Sequence, residues 1–400
     1  MTKLDTPRRT TNGKSFILTD SWCVFVVPPL YVMAIERYIF YPSGGMRALS
    51  EEELSHIRSD QNPSPRISIV GIGGAGNKLL GNVIGNGGIG PEQCVAVNTD
   101  KGQLSRSLAS NKVLLGEDIV DGKGVFGSVS VGRRALQLSA HRVTSFVGAS
   151  DITIILVGFG GGTGTAAAPL VAQWARTQVK PVVAVVALPF THERERRFIA
   201  LRGLKKMADA CDCTVVVDNA MSLDGSEGVN GVLADLTAVA AVRSLTEALS
   251  SLESNITKNI LRILMLGPLS GVYTHHIRPE ESLSTAILET VRTPSSNLSL
   301  SRAQGAVLLY TGPVPIGASQ AARAYDTLSS LTGRTLSFVY ASTVKASAPT
   351  LCLLLTGYDY ESSLGSFVEL LTDLYDVEYE QPTGNLEAPL PLQLYQLERP

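Results

Sequence analysis

Two glycine loops carry the residue types best suited to do chemistry. "GIGGAGN", Gly71 to Asn77, follows a short β-branched run, and "GFGGGTGTAAAP", Gly158 to Pro169, follows another and runs into alanines. Glycine admits φ > 0 and lets a ligand approach the main chain, while a helix opening directly after such a loop offers free N–H groups and the positive end of its dipole. That chemistry is anion binding, above all of phosphate. Gly71, Gly73 and Gly76 fit G-x-G-x-x-G with Asp100 ending the next strand, the outline of a dinucleotide site. Gly71 and Gly76 also have Walker spacing, but Asn77-Lys78 stands where Lys-Ser/Thr belongs. One pyrophosphate needs one such turn. The second and richer loop, Gly160-Gly161-Gly162-Thr163-Gly164-Thr165, opens a helix as well, and two helix starts with two threonine hydroxyls suit a longer polyphosphate. The bland alternative is glycine needed only for tight strand-to-helix packing. Pro169 falls near the first turn, where a helix tolerates proline.

The loops need a scaffold, and the pattern from Arg66 supplies one. "RISIVGIG", "CVAVNTD", "DITIILVG", "KPVVAVVALP" and "CTVVVDN" alternate with segments of helical period. Near-continuous apolar strands are buried on both faces, so the expected fold is α/β, a doubly wound parallel sheet. Its ligands bind beyond the carboxyl ends of the strands, the edge where both glycine loops and a third, "DGKGVFGS", converge. Asn230 to Leu252 reads as a long, largely buried helix. Strands "QGAVLLYTG", "RTLSFVYAST" and "TLCLLLTGY", with helices Pro279 to Val291 and Ala318 to Leu331, read as a second, smaller α+β domain. The expected division is an N-terminal extension 1–65, a nucleotide-binding domain 66–229, the central helix with its following loop 230–270, the α+β domain 271–360 and a tail 361–400. The extension is expected to be poorly ordered, or to precede a true start at Met33 or Met46. The tail contains a short helix in "SSLGSFVELLTDLYDVEYE" and then proline-rich "APLPLQLYQLERP", most simply flexible, with docking on a partner as the alternative.

The 34 basic and 36 acidic residues nearly balance, which gives no electrostatic reason to expect nucleic acid or an acidic membrane. An anion must therefore be held locally. The five cysteines are odd in number and scattered, as suits a reducing, cytoplasmic setting, and Cys211-x-Cys213 is too tight for a metal knuckle. No run reaches the ~18 to 20 apolar residues that span a bilayer. "WCVFVVPPLYVMA", Trp22 to Ala34, is short and broken by Pro28-Pro29. His275-His276 has no acidic or cysteine ligand at metal spacing and is expected at the surface, with His192 facing solvent.

Beside this reading stands a resemblance. "GGGTGT" after a central strand resembles the phosphate-loop signature of the tubulin/FtsZ superfamily of GTP-binding filament proteins, and the other loops follow in the family's order. "GIGGAGNKLL" is similar to its first nucleotide loop, "AVNTD" with Asn98 to its second and "DGKGVFGSVSVGRR" to its third. "LPFTHERERR" is similar to the FtsZ pattern of proline, phenylalanine, two residues, glutamate and a basic cluster. The resemblance covers residues 66–360, nearer to the FtsZ and CetZ branches than to eukaryotic tubulin. It implies that Gly73, Gly74, Ala75 and Gly76 contact the α- and β-phosphates, and that Gly160 to Thr165 wrap the β- and γ-phosphates. Gly122 and Gly124, in the stretch to Ser128, would lie near the γ-phosphate, Glu193 would hold the ribose and Arg197 the phosphates. Without the resemblance, "ERERR" would read as a solvated helix face. The implied cofactor is GTP or GDP, with Mg2+ admitted beside it.

The departures from the family are specific. In the turn that reads the base, "DNA" replaces FtsZ "PND": Asn219 remains, but Ala220 stands where an aspartate would be. Lys78 occupies a position that is asparagine in FtsZ and resembles the CetZ first loop, and Phe126 enters a loop otherwise made of small residues. In the family, an N-x-D-x-x-D loop after the long helix reaches the next subunit's nucleotide and positions water. Here Asn255 aligns with the asparagine, while Thr257 and Ile260 replace the aspartates. Losing a water-positioning carboxylate costs roughly 10²-fold or more in rate, so hydrolysis is expected to be weak or lost, with no catalytic residue in the chain. The resemblance thus implies a filament protein of cell division or cell shape, assembling with itself or with a paralogous FtsZ-like subunit, its tail available to a membrane adaptor. The alternatives are a non-polymerising nucleotide-binding regulator of a paralogous filament and an NAD(P)-dependent oxidoreductase, which leaves "GGGTGT" unexplained.

Overall fold

The computed structural model describes residues 65–365 except 88, 179, 222–226, 252–253, 293–295 and 346–347. Before residue 65 it describes only the backbone of five short strands, Ser15–Thr19, Trp22–Val27, Met33–Ile35, Tyr38–Phe40 and Met46–Ala48. The tail from 366 on, including most of the expected short helix, lies outside the described residues.

Ile67–Ile72 (β1), Cys94–Asn98 (β2), Asn111–Leu114 (β3), Ile152–Gly158 (β4), Val182–Leu188 (β5) and Cys213–Asp218 (β6) form a parallel sheet ordered β3-β2-β1-β4-β5-β6. Val and Ile fill these strands because both faces are covered. Along β1, Val70 and Ile72 enter one core while Ile67 and Ile69 enter the other. Val129–Leu138 (the helix after the third glycine loop), Ala140–Gly148, Gly162–Thr177 and Arg194–Ala210 cover the first face through Ala135, Val143, Ala168 and Leu204. Gly73–Gly85, Glu227–Ser251 and Ser254–Leu264 cover the second through Leu80, Val242 and Ile260. In chain order Gly73–Gly85 is α1, Gly162–Thr177 is α2, Arg194–Ala210 is α3, Glu227–Ser251 is α4 and Ser254–Leu264 is α5.

The strand order reverses between β1 and β4, which pair directly with Gly71 opposite Leu156. From that junction the chain departs to opposite faces of the sheet, which opens a crevice beyond the carboxyl ends. Both glycine loops sit there, one after each strand.

The sheet continues through Leu269–His276 (β7), Gly305–Gly312 (β8), Ser337–Val344 (β9) and Thr350–Tyr358 (β10), ordered β9-β8-β10-β7. β7 pairs parallel with β6, Gly271 opposite Val216, while β10 runs antiparallel to β7 and β8. The division expected at residue 271 therefore falls inside a strand, and one sheet runs through both halves. The helix expected from Pro279 begins instead at Leu283, because the Ser282 hydroxyl accepts the Thr285 N–H at 3.1 Å. Pro169 lies well inside α2, beyond its first turn, because that helix begins within the glycine loop at Gly162. Proline there supplies no N–H to the Thr165 carbonyl, a bond the helix forgoes.

Candidate functional site

The first glycine loop is shaped by contact with the second. Gly73 has φ +73°, and a Cβ on it would lie 3.1 Å from Gly164 N. α1 opens at Gly73 with no side-chain cap, and α2 opens at Gly162 with none either. Two helix N-termini thus meet at the β1/β4 junction with their first N–H groups unclaimed by side chains. Like dipole ends repel, and an anion between them removes that repulsion. Gly160, at φ +90°, turns the chain into the second loop, and Gly76 packs α1 so closely on β4 that a Cβ would come within 2.3 Å of Leu156 O. Gly161 differs: its φ is −101° and nothing lies within 4 Å of a Cβ there, so space for a ligand is left open. Gly74 and Ala75 are exposed on the first turn of α1.

The threonine hydroxyls are tied into the loops. Thr163 Oγ1 lies 2.8 Å from Thr99 Oγ1, and Thr165 Oγ1 accepts the Gly160 N–H at 2.9 Å, which keeps its own proton for donation. Asn98 is 2% exposed; its Oδ1 accepts the N–H of Thr99 at 2.8 Å and of Asp100 at 3.3 Å, and its Nδ2 donates to Gln103 Oε1 at 3.2 Å. It shapes the loop after β2 from beneath.

The third loop is laced to that one, Gly124 N donating to Thr99 O at 3.1 Å and Lys101 N to Gly122 O at 2.8 Å. Its backbone is left-handed at Asp121, Gly122, Gly124, Phe126 and Gly127. Val125 is buried against the start of α2, while Phe126, with φ 46°, is 91% exposed.

The charged residues near the loops are each tied to a protein partner. Lys78 Nζ lies 2.6 Å from Asp235 on α4, so it joins α1 to the long helix. Glu193 Oε2 accepts the Phe190 N–H at 3.2 Å, and its other oxygen pairs with Arg196. Arg197, expected on the phosphates, is 4% exposed and bound in a fork to Asp218, Nη1 to Oδ1 at 2.9 Å and Nη2 to Oδ2 at 2.5 Å. Nη1 also donates to Pro189 O. The cause is burial: Asp218 ends β6 in the core, where a carboxylate must be paired. Beside the pair lies a cavity of about 10 Å³, room for one water, lined by Arg197, Asp218, Ser296 and Leu364 among others. Next to Asp218, Asn219 donates its N–H to Leu188 O at 3.2 Å, and its Oδ1 is buried with no hydrogen-bond partner.

Across the fold, Thr257 and Ile260 on α5 are 4% and 0% exposed, and Thr257 Oγ1 donates to Leu249 O at 3.4 Å. The side chain of Asn255 is outside the described residues. His275 is half-buried, with Nε2 3.0 and 3.1 Å from the two oxygens of Glu281, an acidic neighbour that the spacing did not reveal. His192 is exposed, stacked near Phe190. Among the described residues, no three His, Cys, Asp or Glu cluster to hold a metal, and no helix is long and apolar enough to cross a membrane. Burial pushes the Cys94, Cys213 and Cys352 thiols up to about 12, and that of Cys211 higher still.

Residues 66–225 match the family described as Tubulin/FtsZ family, GTPase domain. Cell division protein FtsZ 2 of Methanocaldococcus jannaschii is 30% identical over 274 residues, 66% of this chain and 72% of that protein. The chain belongs to the tubulin/FtsZ family. Cell division protein FtsZ 2 of Halobacterium salinarum is 40% identical over 165 residues, a match spanning 41% of this chain but only 42% of the relative's length. The fold also matches CetZ2 of Haloferax volcanii, solved as a GTPγS-bound protofilament, at TM-score 0.65 and 25% identity, covering 78% of this chain and 98% of the other.

For a tubulin/FtsZ family member, the residues missed in the sequence are the partners: Thr99 for Thr163, Asp235 for Lys78 and Asp218 for Arg197. The last had a signal. An aspartate closing the apolar run "TVVVD" is a charge at a buried strand end, which requires a cation nearby.

Proposed function

We propose that this chain binds GTP or GDP across the β1/β4 junction and assembles head to tail into filaments serving cell division or cell shape. The observation that carries the reading is the meeting of two uncapped helix N-termini, with Gly73 against Gly164 and open space at Gly161. The residues fit the nucleotide in two places. The glycine loops leave N–H donors for phosphates, and Asn219 Oδ1, buried here without a partner, becomes an acceptor for a purine N–H once its side chain turns to the base. A bound nucleotide supplies the negative charge that the paired dipole ends lack. Mg2+ would be carried with the phosphates, since no carboxylate cage is present among the described residues.

Hydrolysis is weak or lost in this reading, because the two positions that carry aspartates in the family are an apolar and a hydroxyl side chain turned into the core. A filament of this chain would then be long-lived, or would turn over through a paralogous subunit that supplies the carboxylates. Head-to-tail contacts propagate because their rotation need not close. The test is nucleotide binding, turnover and sedimentation of purified protein with GTP. Saturable GTP binding with pelleting supports the filament; binding without pelleting, joined to inhibition of a paralogue's pelleting, supports the regulator; no guanine nucleotide binding sinks both.

A further inference from the structure

The Arg197–Asp218 pair stands at the junction of two segments that the nucleotide reading assigns to the nucleoside. Through Nη1, Arg197 holds Pro189 O at the end of β5, the root of the loop that leads to Glu193. Through its fork it holds Asp218 at the end of β6. Asp218 in turn organises the turn that follows it: Oδ1 accepts the Ala220 N–H at 3.0 Å, and its main-chain carbonyl accepts the Met221 N–H at 3.1 Å. Asn219 lies inside that turn, and its N–H to Leu188 O ties the turn back to β5. One guanidinium therefore spans two strand ends and sets how the Glu193 loop and the Asn219 turn stand relative to each other.

We infer that Arg197 is a positioning residue for the nucleoside: acting through Asp218, it fixes Asn219 so that its free amide oxygen meets a purine N–H, and it does not hold the phosphates. The inference rests on the nucleotide-binding reading above. Three observations carry it. The guanidinium is 4% exposed and its Asp218 partner's side chain 2%. Swinging Arg197 out to a phosphate would strand a buried carboxylate, the costliest outcome for such a pair. One residue beyond Asp218, Asn219 Oδ1 is buried without a hydrogen-bond partner, an acceptor with an unmet need at the turn that the pair organises. Guanine offers N1–H and a 2-amino group, hypoxanthine N1–H alone, and adenine only its 6-amino group. Discrimination among these bases depends on where the Asn219 oxygen is held.

The two roles predict different dependences on phosphate number. Affinities for GTP, GDP, GMP, ITP and ATP are measured on the full chain and on R197M/D218L, which replaces the pair by apolar side chains of similar size, with thermal melts to confirm folding. The positioning role predicts that the variant loses the same factor for GTP, GDP and GMP, about tenfold, the scale of one well-placed hydrogen bond. It also predicts a narrowed preference for GTP over ATP. N219A gives the same pattern, and adding N219A to R197M/D218L costs nothing further, because both act on one contact. If the double variant does not melt cooperatively, R197K carries the same comparison, since it keeps a cation beside Asp218 but loses the fork and the bond to the Pro189 carbonyl. A loss that grows from GMP to GTP returns Arg197 to the phosphates and overturns the inference. Unchanged base preference in a folded variant overturns it too, leaving the pair a structural strut. Absence of guanine nucleotide binding by the unaltered protein is a separate result, visible before any variant is made, and it removes the parent reading.

Discussion

Thr99 Oγ1 lies 2.8 Å from Thr163 Oγ1, and both residues are buried, so the loop after β2 and the glycine loop after β4 are joined by a hydroxyl contact. Thr99→Val keeps the shape and removes one partner, leaving the Thr163 hydroxyl short of a hydrogen bond at a cost of about 1–3 kcal/mol. The expected outcome is a lower melting temperature together with weaker nucleotide binding, while Thr99→Ser, which keeps the hydroxyl, stays near the unaltered protein. Equal behaviour of the valine and serine variants in melts and nucleotide titrations would show that the contact does not matter.

Gly73 and Gly161 separate what the fold needs from what a ligand needs. Gly73→Ala places a Cβ 3.1 Å from Gly164 N on a backbone at φ +73°, a left-handed strain of roughly 1–2 kcal/mol before any clash. It should lower stability and binding together. Gly161→Ala meets nothing within 4 Å at φ −101° and should cost no more than about 1 kcal/mol, the difference between glycine and alanine at a helix N-cap. If phosphate seats against that open backbone, Gly161→Ala still weakens GTP binding. Titrations and melts on both variants read this directly, and normal GTP affinity in Gly161→Ala would place the phosphates elsewhere.

The doubly wound sheet was legible because its strands advertise themselves: β-branched runs such as "DITIILVG" have a length and composition that only a two-sided core explains, and glycine marks where each ends. The edge on which the loops converge follows from that. Residue-level roles were less legible, since a side chain's partner depends on which strand ends become neighbours. Arg197 and Asp218 are brought together by β5 pairing with β6, and nothing in "ERERR" distinguishes the buried arginine from the exposed ones. The continuity of the sheet across residue 271 was hidden for the same reason, because the pairing of β7 with β6 has no local signature. Pro169 was misplaced because the helix start lay inside the glycine run rather than after it.

Glu281 gives the fold a measurable pH dependence. Its carboxyl is held below its ordinary value of 4.5, first by the Arg278 main-chain N–H and then by His275. A depressed folded-state value means that Glu281 contributes stability above the unfolded-state value and loses it as pH falls through the folded one. Glu281→Gln removes the titration. The stability difference between the unaltered protein and this variant, from urea midpoints, should therefore shrink as pH drops from about 6 to about 3. A difference that stays constant over that range would mean that the contacts, not the charge, are responsible.

Hydrolysis offers the sharpest contrast with the family pattern, and the orientation of α5 sets the terms. With Thr257 4% and Ile260 0% exposed, a carboxylate introduced at either position enters the core. Burying an unpaired carboxylate costs several kcal/mol, on the order of a domain's whole stability. Ile260→Asp should consequently melt far below the unaltered protein, or fail to fold, and gain no turnover, although it restores a family aspartate in the sequence. Lys258, exposed on the same helix, should accept aspartate with little change in melting, within about 0.5 kcal/mol. Phosphate release measured beside thermal melts decides the matter. An Ile260→Asp protein that is as stable as the original and hydrolyses GTP would show that this helix turns the position outward in the working state, and the account of a lost carboxylate site would need a different geometry.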